Sequence, residues 1–437
     1  MRKTLSLGLV LALVLSLLTI GASASASAED QKLLVWVANA LVSDADQKLP
    51  QEEWTISKIA AQFEQANPGV KVQITLFPDQ IAMMQTFKAA SAGADSPDIV
   101  NVWAGQQLFQ MKDIVVDLTG KVPQDDLDKI LGWDVMTLDF KKGNPLLAYP
   151  ASGNEVCGFL YNKKVLADCG LDYDKNPPKD VAQFTKDMQV IKDKGYQPII
   201  ADDGGWGEAF FVAYATWWVQ ASGSERVASD SYGTTKYSDD QGFLTAMQTG
   251  QDLYTKGFVN TDYATIQSSI ETFLEGNSAL LASGNWNTTT AMEGLGADNV
   301  GFLNPPNIDG NAPIQNTLIG GPGQALVISK ASKNQDLAIK FLSFLSNKDN
   351  MAAINKAQSK MPLRTDIEAA DLGIGDTGVM RQEYDAASHY VFWADNSTQP
   401  DVCAEIQKQS PLALTGKMTV ADLAAALDKK AAEVAGK

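Results

Sequence analysis

Trp54 to Leu76 reads WTISKIAAQFEQANPGVKVQITL. Its first half places apolar side chains at Trp54, Ile56, Ile59, Ala60 and Phe63, the spacing of one helix face. Asn67-Pro68-Gly69 stops that helix by turn chemistry. Val70 to Leu76 then alternates apolar and polar, which predicts a strand. Working outward, Lys32 to Val37 is a β-branched strand, Ala38 to Glu53 a polar acidic loop, Ile81 to Ala92 a helix ended by Gly93, and Pro97 to Val102 a short apolar strand. The order β-α-β-α-β predicts a mostly parallel sheet with helices on both faces. Such open sheets take ligands in the crevice beyond the carboxyl ends of the strands. The loops that fall there begin at Ala38, at Pro78 and at Trp103-Ala104-Gly105-Gln106-Gln107, so topology alone nominates Asn39, Trp103 and Gln106.

A second unit begins near Tyr149-Pro150. Val156 to Tyr161 reads as a strand, Val181 to Lys194 as a helix, and Gln197 to Ile200 as a strand. Gly204-Gly205-Trp206-Gly207-Glu208 is a glycine-rich loop whose Trp206 is free to face a cleft. The helix after it, Ala209 to Val219, carries Trp217 and Trp218, which are expected in the core. Asn299 to Gly310 is loop-like, and Gly320-Gly321-Pro322-Gly323 precedes a strand over 324–329 and a helix over 337–345. Loops and a helix from Val420 to Ala435 close the chain, and no internal repeat of 20–50 residues suggests a solenoid.

Between these lies Phe273-Leu274-Glu275-Gly276-Asn277-Ser278-Ala279-Leu280-Leu281-Ala282-Ser283-Gly284-Asn285-Trp286. A helix end runs through a Gly-Asn turn into an apolar strand, and the strand stops at a small-residue turn bearing one indole. An indole just past a strand is poorly placed for a core and well placed to face a ligand; the bland alternative is a plug on a lobe surface. The flat face of Trp286 suits the C–H face of a sugar ring, a packing worth roughly 0.5–1.5 kcal/mol beyond area burial.

The first 28 residues combine basic Arg2 and Lys3, an apolar run from Leu5 to Ile20 and a small-x-small site at Ala26-Ser27-Ala28, the pattern of a secretory signal peptide. No later stretch is apolar for the 18 or so residues a spanning helix needs. No Cys lies near the cleavage site, so an exported protein, periplasmic or extracellular and without a lipid anchor, is expected. The 437-residue chain carries a formal net charge of −17, which argues against nucleic acid and anionic lipid as partners. Cys157, Cys169 and Cys403 are an odd set. Cys157 with Cys169 is the pairing to weigh against three buried thiols. With His389 the single histidine, there is no zinc constellation and no Ser-His-Asp arrangement that does not hang on one residue. No metal, cofactor or catalytic residue is expected.

Several segments now stand in one order: Phe63-Glu64 with Asn67-Pro68-Gly69-Val70-Lys71-Val72, Pro97-Asp98-Ile99-Val100, Leu160-Tyr161-Asn162-Lys163, Phe273 to Trp286, and Ile328-Ser329-Lys330 to Leu342. The set resembles extracellular solute-binding proteins of family 1, the carbohydrate-binding components of ABC importers, which include the maltose-binding protein. The resemblance covers nearly all of the chain after the signal segment. It implies an α/β, two-lobed periplasmic-binding-protein fold of type II, each lobe a mostly parallel sheet flanked by helices, with the ligand cleft between lobes. The lobes would comprise residues 29–152 plus 305–352, and 153–304 plus 353–437. Crossovers are expected near Ala151–Asn154, Asn304–Gly310 and Asn350–Lys356. The resemblance further implies hinge closure over a sugar, a membrane permease as partner, and a monomer. By the resemblance, Trp286 matches the sugar-stacking Trp, Trp103 a hydroxyl-contacting loop, Gln106 or Gln107 a position that can hold an acid, and Glu155 a ligand-contacting Glu. Trp206 and Trp393 match further stacking positions. The chain departs from the pattern at Asp180, where a Trp often stands, and in its long acidic loop from Val42 to Glu53.

Sugar sites combine stacking aromatics with planar amides and carboxylates, which bond vicinal hydroxyls in pairs. The expected function is therefore capture of a carbohydrate, an oligosaccharide, by a non-enzymatic component of an importer, with ligand residues Asn39, Trp103, Gln106, Glu155, Trp206, Trp286 and Trp393. A non-sugar solute such as a polyamine would also suit an acidic, aromatic site. An exported glycoside hydrolase would need two carboxylates at a set separation, which a chain of 52 acids can always supply on paper. A calcium module rests on Asp172-x-Asp174-x-Asn176, which lacks the glycine and distal Glu of a calcium loop.

Overall fold

The computed structural model describes residues 31–435 apart from 39, 94–95, 152, 203–213, 224–235 and 267. The signal segment and two expected ligand residues, Asn39 and Trp206, lie outside the described residues. The helix expected over 209–219 is described from Ala215 and runs to Ser222.

Among the described residues, eleven strands form two sheets: β1 (Gln31–Val37), β2 (Val70–Leu76), β3 (Ile99–Trp103), β4 (Tyr149–Ala151), β5 (Glu155–Asn162), β6 (Gln197–Ile200), β7 (Ser278–Gly284), β8 (Val300–Leu303), β9 (Leu318–Gly321), β10 (Gln324–Ile328) and β11 (Tyr390–Phe392). The first sheet has the order β2-β1-β3-β10-β4. The alternation read from the sequence sets its register, Gln31 to Val37 pairing in parallel with Val70 to Leu76. Leu33, Val35 and Val37 point to one face, where they pack with Ile56, Ile59 and Phe63 of the helix Thr55–Ala66. The same face holds Phe341 and Leu342 of the helix Gln335–Leu345. Glu64 ties that first helix to β2 by accepting from the Val72 N–H at 2.8 Å and from Lys71 at 2.7 Å.

The second sheet has the order β11-β9-β5-β7-β6, with β8 also on β5. All eight residues of β5 are buried, as befits the central strand. Trp217 and Trp218 lie in the core beside it, as expected, each with its indole N–H satisfied: Trp217 donates to the Pro306 carbonyl at 2.8 Å and Trp218 to Asp240 at 2.8 Å. Cys157, Cys169 and Cys403 are buried thiols of this same core, so the weighed pairing of Cys157 with Cys169 is not made.

In each sheet all the described strands but one run the same way, and in the second sheet the reversed strand makes more pairings antiparallel than parallel. In the first, β10 runs against both β3 and β4. In the second, β5 runs against β7, β8 and β9. The reversed strands are the two that the chain enters directly from the other sheet, β5 from β4 and β10 from β9. A strand arriving through so short a connection cannot be turned by a crossover helix, so it enters antiparallel.

The first crossover lies where it was expected, between Ala151 and Glu155. The second comes later than residues 304–310. The Asn307 N–H still donates to the Lys179 carbonyl, and β9 still pairs with β5, so the chain leaves the second sheet only at Pro322-Gly323. Residues 350–356, the third expected crossover, lie inside the helix Lys348–Gln358. The segment that passes beside the first crossover is Lys360-Met361, with Met361 bridged to Asn154.

The sequence did not reveal β4, β8, β9 and β11, each three or four residues long, or the helices Gln241–Thr255, Val379–Ala386 and Pro400–Leu414. Among the described residues no helix is long and apolar enough to cross a membrane.

Candidate functional site

The two crossovers run side by side, with Gln324 paired to Ala151 in the first sheet and Glu155 to Gly321 in the second. Gly323 sits between them and collects the site. Its carbonyl accepts from the Ala104 N–H at 2.9 Å, which brings the Trp103–Gln106 loop to the crossover. A Cβ at Gly323 would stand 2.7 Å from a Glu155 carboxylate oxygen and 3.2 Å from the Trp393 indole nitrogen, so only glycine lets these groups close in. Across the sheets, the Gly105 backbone lies against that of Asn396, and the Phe140 and Phe392 rings meet at 5.9 Å.

Trp286 follows the last residue of β7, as the sequence suggested. Gly284 bears no Cβ, which would collide with the six-membered ring of Trp286. Asn285 is buried and ties the turn to the first crossover: its side chain accepts from the Val156 N–H and donates to the Asn154 carbonyl, both at 3.3 Å. The indole of Trp286 stacks on that of Trp393, centroids 6.2 Å apart and planes at 30°. Trp286 is half-buried. Trp393 is only 5% exposed and donates to the Gly321 carbonyl at 3.3 Å. It thus backs Trp286 more than it offers a face of its own.

Glu155 and Lys360 form a buried ion pair at the floor. Asp395, two residues beyond Trp393, is a second carboxylate near Glu155. Burial pushes its carboxyl up to about 6; the backbone N–H groups of Asn396 and Asp395 pull it down, and the charge of Glu155 raises it further. Its Oδ1 is buried and has no hydrogen-bond partner among the described residues. On the first sheet, Trp103 is half-buried against Val102, Ala104 and Leu108 and pairs with Gln324 across the β3–β10 ladder. The Gln324 side chain accepts from Gln80 at 2.9 Å and from Asn101 at 3.1 Å, an amide cluster at the carboxyl end of β3. Gln106 begins the short helix Gln106–Phe109 and is half-buried.

The fold therefore gathers Trp103, Gln106, Glu155, Trp286 and Trp393 around one crossover. Reading the sequence did not find Asp395, Lys360, Gln324, Asn101 or Gln80. The Gly320–Gly323 run was the one available signal, marking a place where other groups crowd the backbone. Lys360 had none, since it meets Glu155 from 205 residues away.

Other candidate chemistry is accounted for elsewhere. Asp172 and Asp174 are paired with Lys175 and Lys163 at 2.8 and 2.9 Å, so ammonium groups hold the carboxylates of the supposed calcium loop. Exposed His389 meets Ser388 Oγ at 2.8 Å and the backbone carbonyl of Asp385, not a carboxylate. Two hollows lie on the first lobe: one of about 420 Å³ near Arg364, Asp125 and Asp366, whose charges pair with one another, and one of about 570 Å³ between Phe63 and Phe344. Neither presents an exposed aromatic face opposite free polar groups, so the crossover remains the better site.

Residues 49–352 match the family model described as bacterial extracellular solute-binding protein. The multiple sugar-binding protein of Streptococcus mutans is 27% identical over 156 residues, which are 35% of this chain and 34% of that protein. Among solved structures, a chitin oligosaccharide binding protein superposes with a TM-score of 0.78 at 20% identity, over 93% of this chain and 100% of the other. The cyclic alpha-maltosyl-1,6-maltose binding protein of Arthrobacter globiformis does so at 0.72 and 17%, over 92% and 98%. The two-lobed architecture is shared across these structures, and the family match spans well over half of the sequence: the chain belongs to the bacterial extracellular solute-binding protein family.

Proposed function

We propose that this protein captures a carbohydrate, an oligosaccharide, between its two lobes and delivers it to the membrane permease of an ABC importer, without chemical change to the sugar. The observation that carries this is the gathering of Trp286, backed by Trp393, with Glu155 and Trp103 at the crossover between the sheets. A half-exposed indole on a rigid backing offers one face to a pyranose ring, and the carboxylate and amide groups beside it suit paired hydroxyls. The relatives named above are sugar binders by description, which supports the same solute class. The lobes divide after Ala151 and after Gly323, with the last passage near Ile374, which packs against both the Leu363 and the Val379 clusters. Closure about these strands would sequester the sugar. Asn39 and Trp206 belong to the proposed ligand set on sequence grounds. The protein acts as an exported monomer in this scheme.

Tryptophan fluorescence titrated with mono- and oligosaccharides, and with spermidine, tests it. One sugar class should give a saturable change. Trp286→Ala should weaken binding by about 10- to 100-fold, the loss of a stacked ring being worth roughly 1.5–3 kcal/mol. A response to spermidine alone would move the site to polyamines, and release of reducing ends would make the protein a hydrolase.

A further inference from the structure

The charge of the site floor follows from three side chains. Glu155 is compensated by Lys360, to which it is paired in a buried position. Asp395 is within electrostatic reach of Glu155, and no ammonium or guanidinium group pairs with it among the described residues. Its two backbone N–H partners are dipoles, not charges. Oδ1 is buried and has no partner among the described residues. Asp395 stands between Trp393, whose indole nitrogen crowds Gly323, and Asn396, whose backbone lies against Gly105, so this crossover holds two carboxylates and one ammonium, a net negative charge above about pH 6.

We infer that Asp395 sets the charge selectivity of the site, admitting neutral and amino-bearing saccharides and turning away those that carry a carboxylate. This rests on the carbohydrate reading above and narrows it. A fixed charge in partly buried surroundings acts over several ångströms, because little water screens it. It does not need to touch the ligand to discriminate. A uronate held on Trp286 would bring a third carboxylate to a floor with one cation. A neutral ring would meet no such repulsion, and an amino sugar would gain an attraction. Discrimination by repulsion of the wrong ligand is as effective as extra contact with the right one.

The experiment uses matched pairs: di- and trisaccharides of glucose and of xylose, each with its counterpart bearing one glucuronic acid, and N,N′-diacetylchitobiose with chitobiose. Dissociation constants are measured for the full protein and for Asp395→Asn, an isosteric change that keeps one acceptor and removes the charge; circular dichroism confirms that both are folded. The unmodified protein should bind the neutral member of a pair at least tenfold more tightly than the uronate. Asp395→Asn should reduce that ratio about tenfold by strengthening uronate binding, a gain that mere loss of structure would not produce. Equal binding of both members by the unmodified protein would overturn the inference without any need of the variant, as would an unchanged ratio in a folded Asp395→Asn; in either case the carbohydrate reading would stand. Absence of binding to every saccharide would sink that reading and the inference with it.

Discussion

At the scale of the residue, the most unusual group is Glu383. It is fully buried, and among the described residues its carboxylate accepts from the Thr288 hydroxyl while its Oε2 has no partner. Burial pushes its carboxyl up to about 8, against the lowering effect of Thr288. The folded protein therefore holds a proton that the unfolded chain releases near the ordinary value of 4.5. Protons bound in excess by the folded state make stability fall as pH rises. This contribution is full below about pH 4.5, declines to about pH 8 and is level above. Glu383→Gln should thus leave the melting temperature near pH 4.5 unchanged and raise it by several degrees at pH 8, each 1 kcal/mol being worth roughly 2–4 °C in a domain of 150–250 residues. Melting curves of both proteins across that range check it, and parallel curves would show that the Glu383 carboxyl titrates alike in the folded and unfolded states.

The elements show why some of the chain was legible. Thr55–Ala66 and Val70–Leu76 carry one period each over seven residues or more, and both ends are marked by turn residues. β8 and β9 have four residues apiece, too few to show a period, and they become strands only because β5 pairs with them. The same limit applies to the site. Trp103, Glu155 and Trp286 sit at strand ends, which sequence can locate; Asp395 and Lys360 arrive from separate segments, which it cannot. The departure from the family pattern at Asp180 is also local in origin. Asp180 caps the helix Val181–Asp193, accepting from the Gln183 N–H at 2.8 Å. An indole there could not accept that bond. Asp180→Ala should cost about 1 kcal/mol of stability, within the usual 0.5–2 kcal/mol for a lost cap. It should leave sugar affinity unaltered, since Asp180 is engaged in the cap and in its bridge to Asn307. Urea unfolding and the fluorescence titration together test this, and an affinity loss would place Asp180 nearer the site than the fold suggests.

For the molecule as a whole, the two-way traffic at the crossovers defines the architecture. Gln324 and Glu155 are the first residues of the two reversed strands, and they lie beside one another at the base of the site. Groups from both sheets therefore meet at the crossovers, and under the proposed closure a change in lobe angle would be felt first where a ligand would sit. The two-sheet plan was read correctly from the first hundred residues and the ordered segments after them. The passage from the second sheet to the first at Pro322-Gly323 is not legible in the sequence, because the loop over 305–317 has no composition that ties it to one sheet.

The reversed strand β10 also has a consequence for how the protein is made. Asn101 in β3 bonds to Gln324 across 223 residues of sequence. At roughly 5–20 residues per second of synthesis, β3 waits about 10–50 s for the neighbour that covers its edge. Throughout that interval the first sheet is an unfinished β-α-β fragment with an apolar, unpaired border, a liability for misassembly. The nascent chain must therefore stay loosely organised until three quarters of it has emerged, a state compatible with threading through a narrow channel and dependent on holdases against clumping. A chain ended after Asn316, lacking β9, β10 and the helix Gln335–Leu345, should sediment as aggregates without a cooperative melt; a monomer that melts sharply would show that the early fragment is a folding unit in its own right.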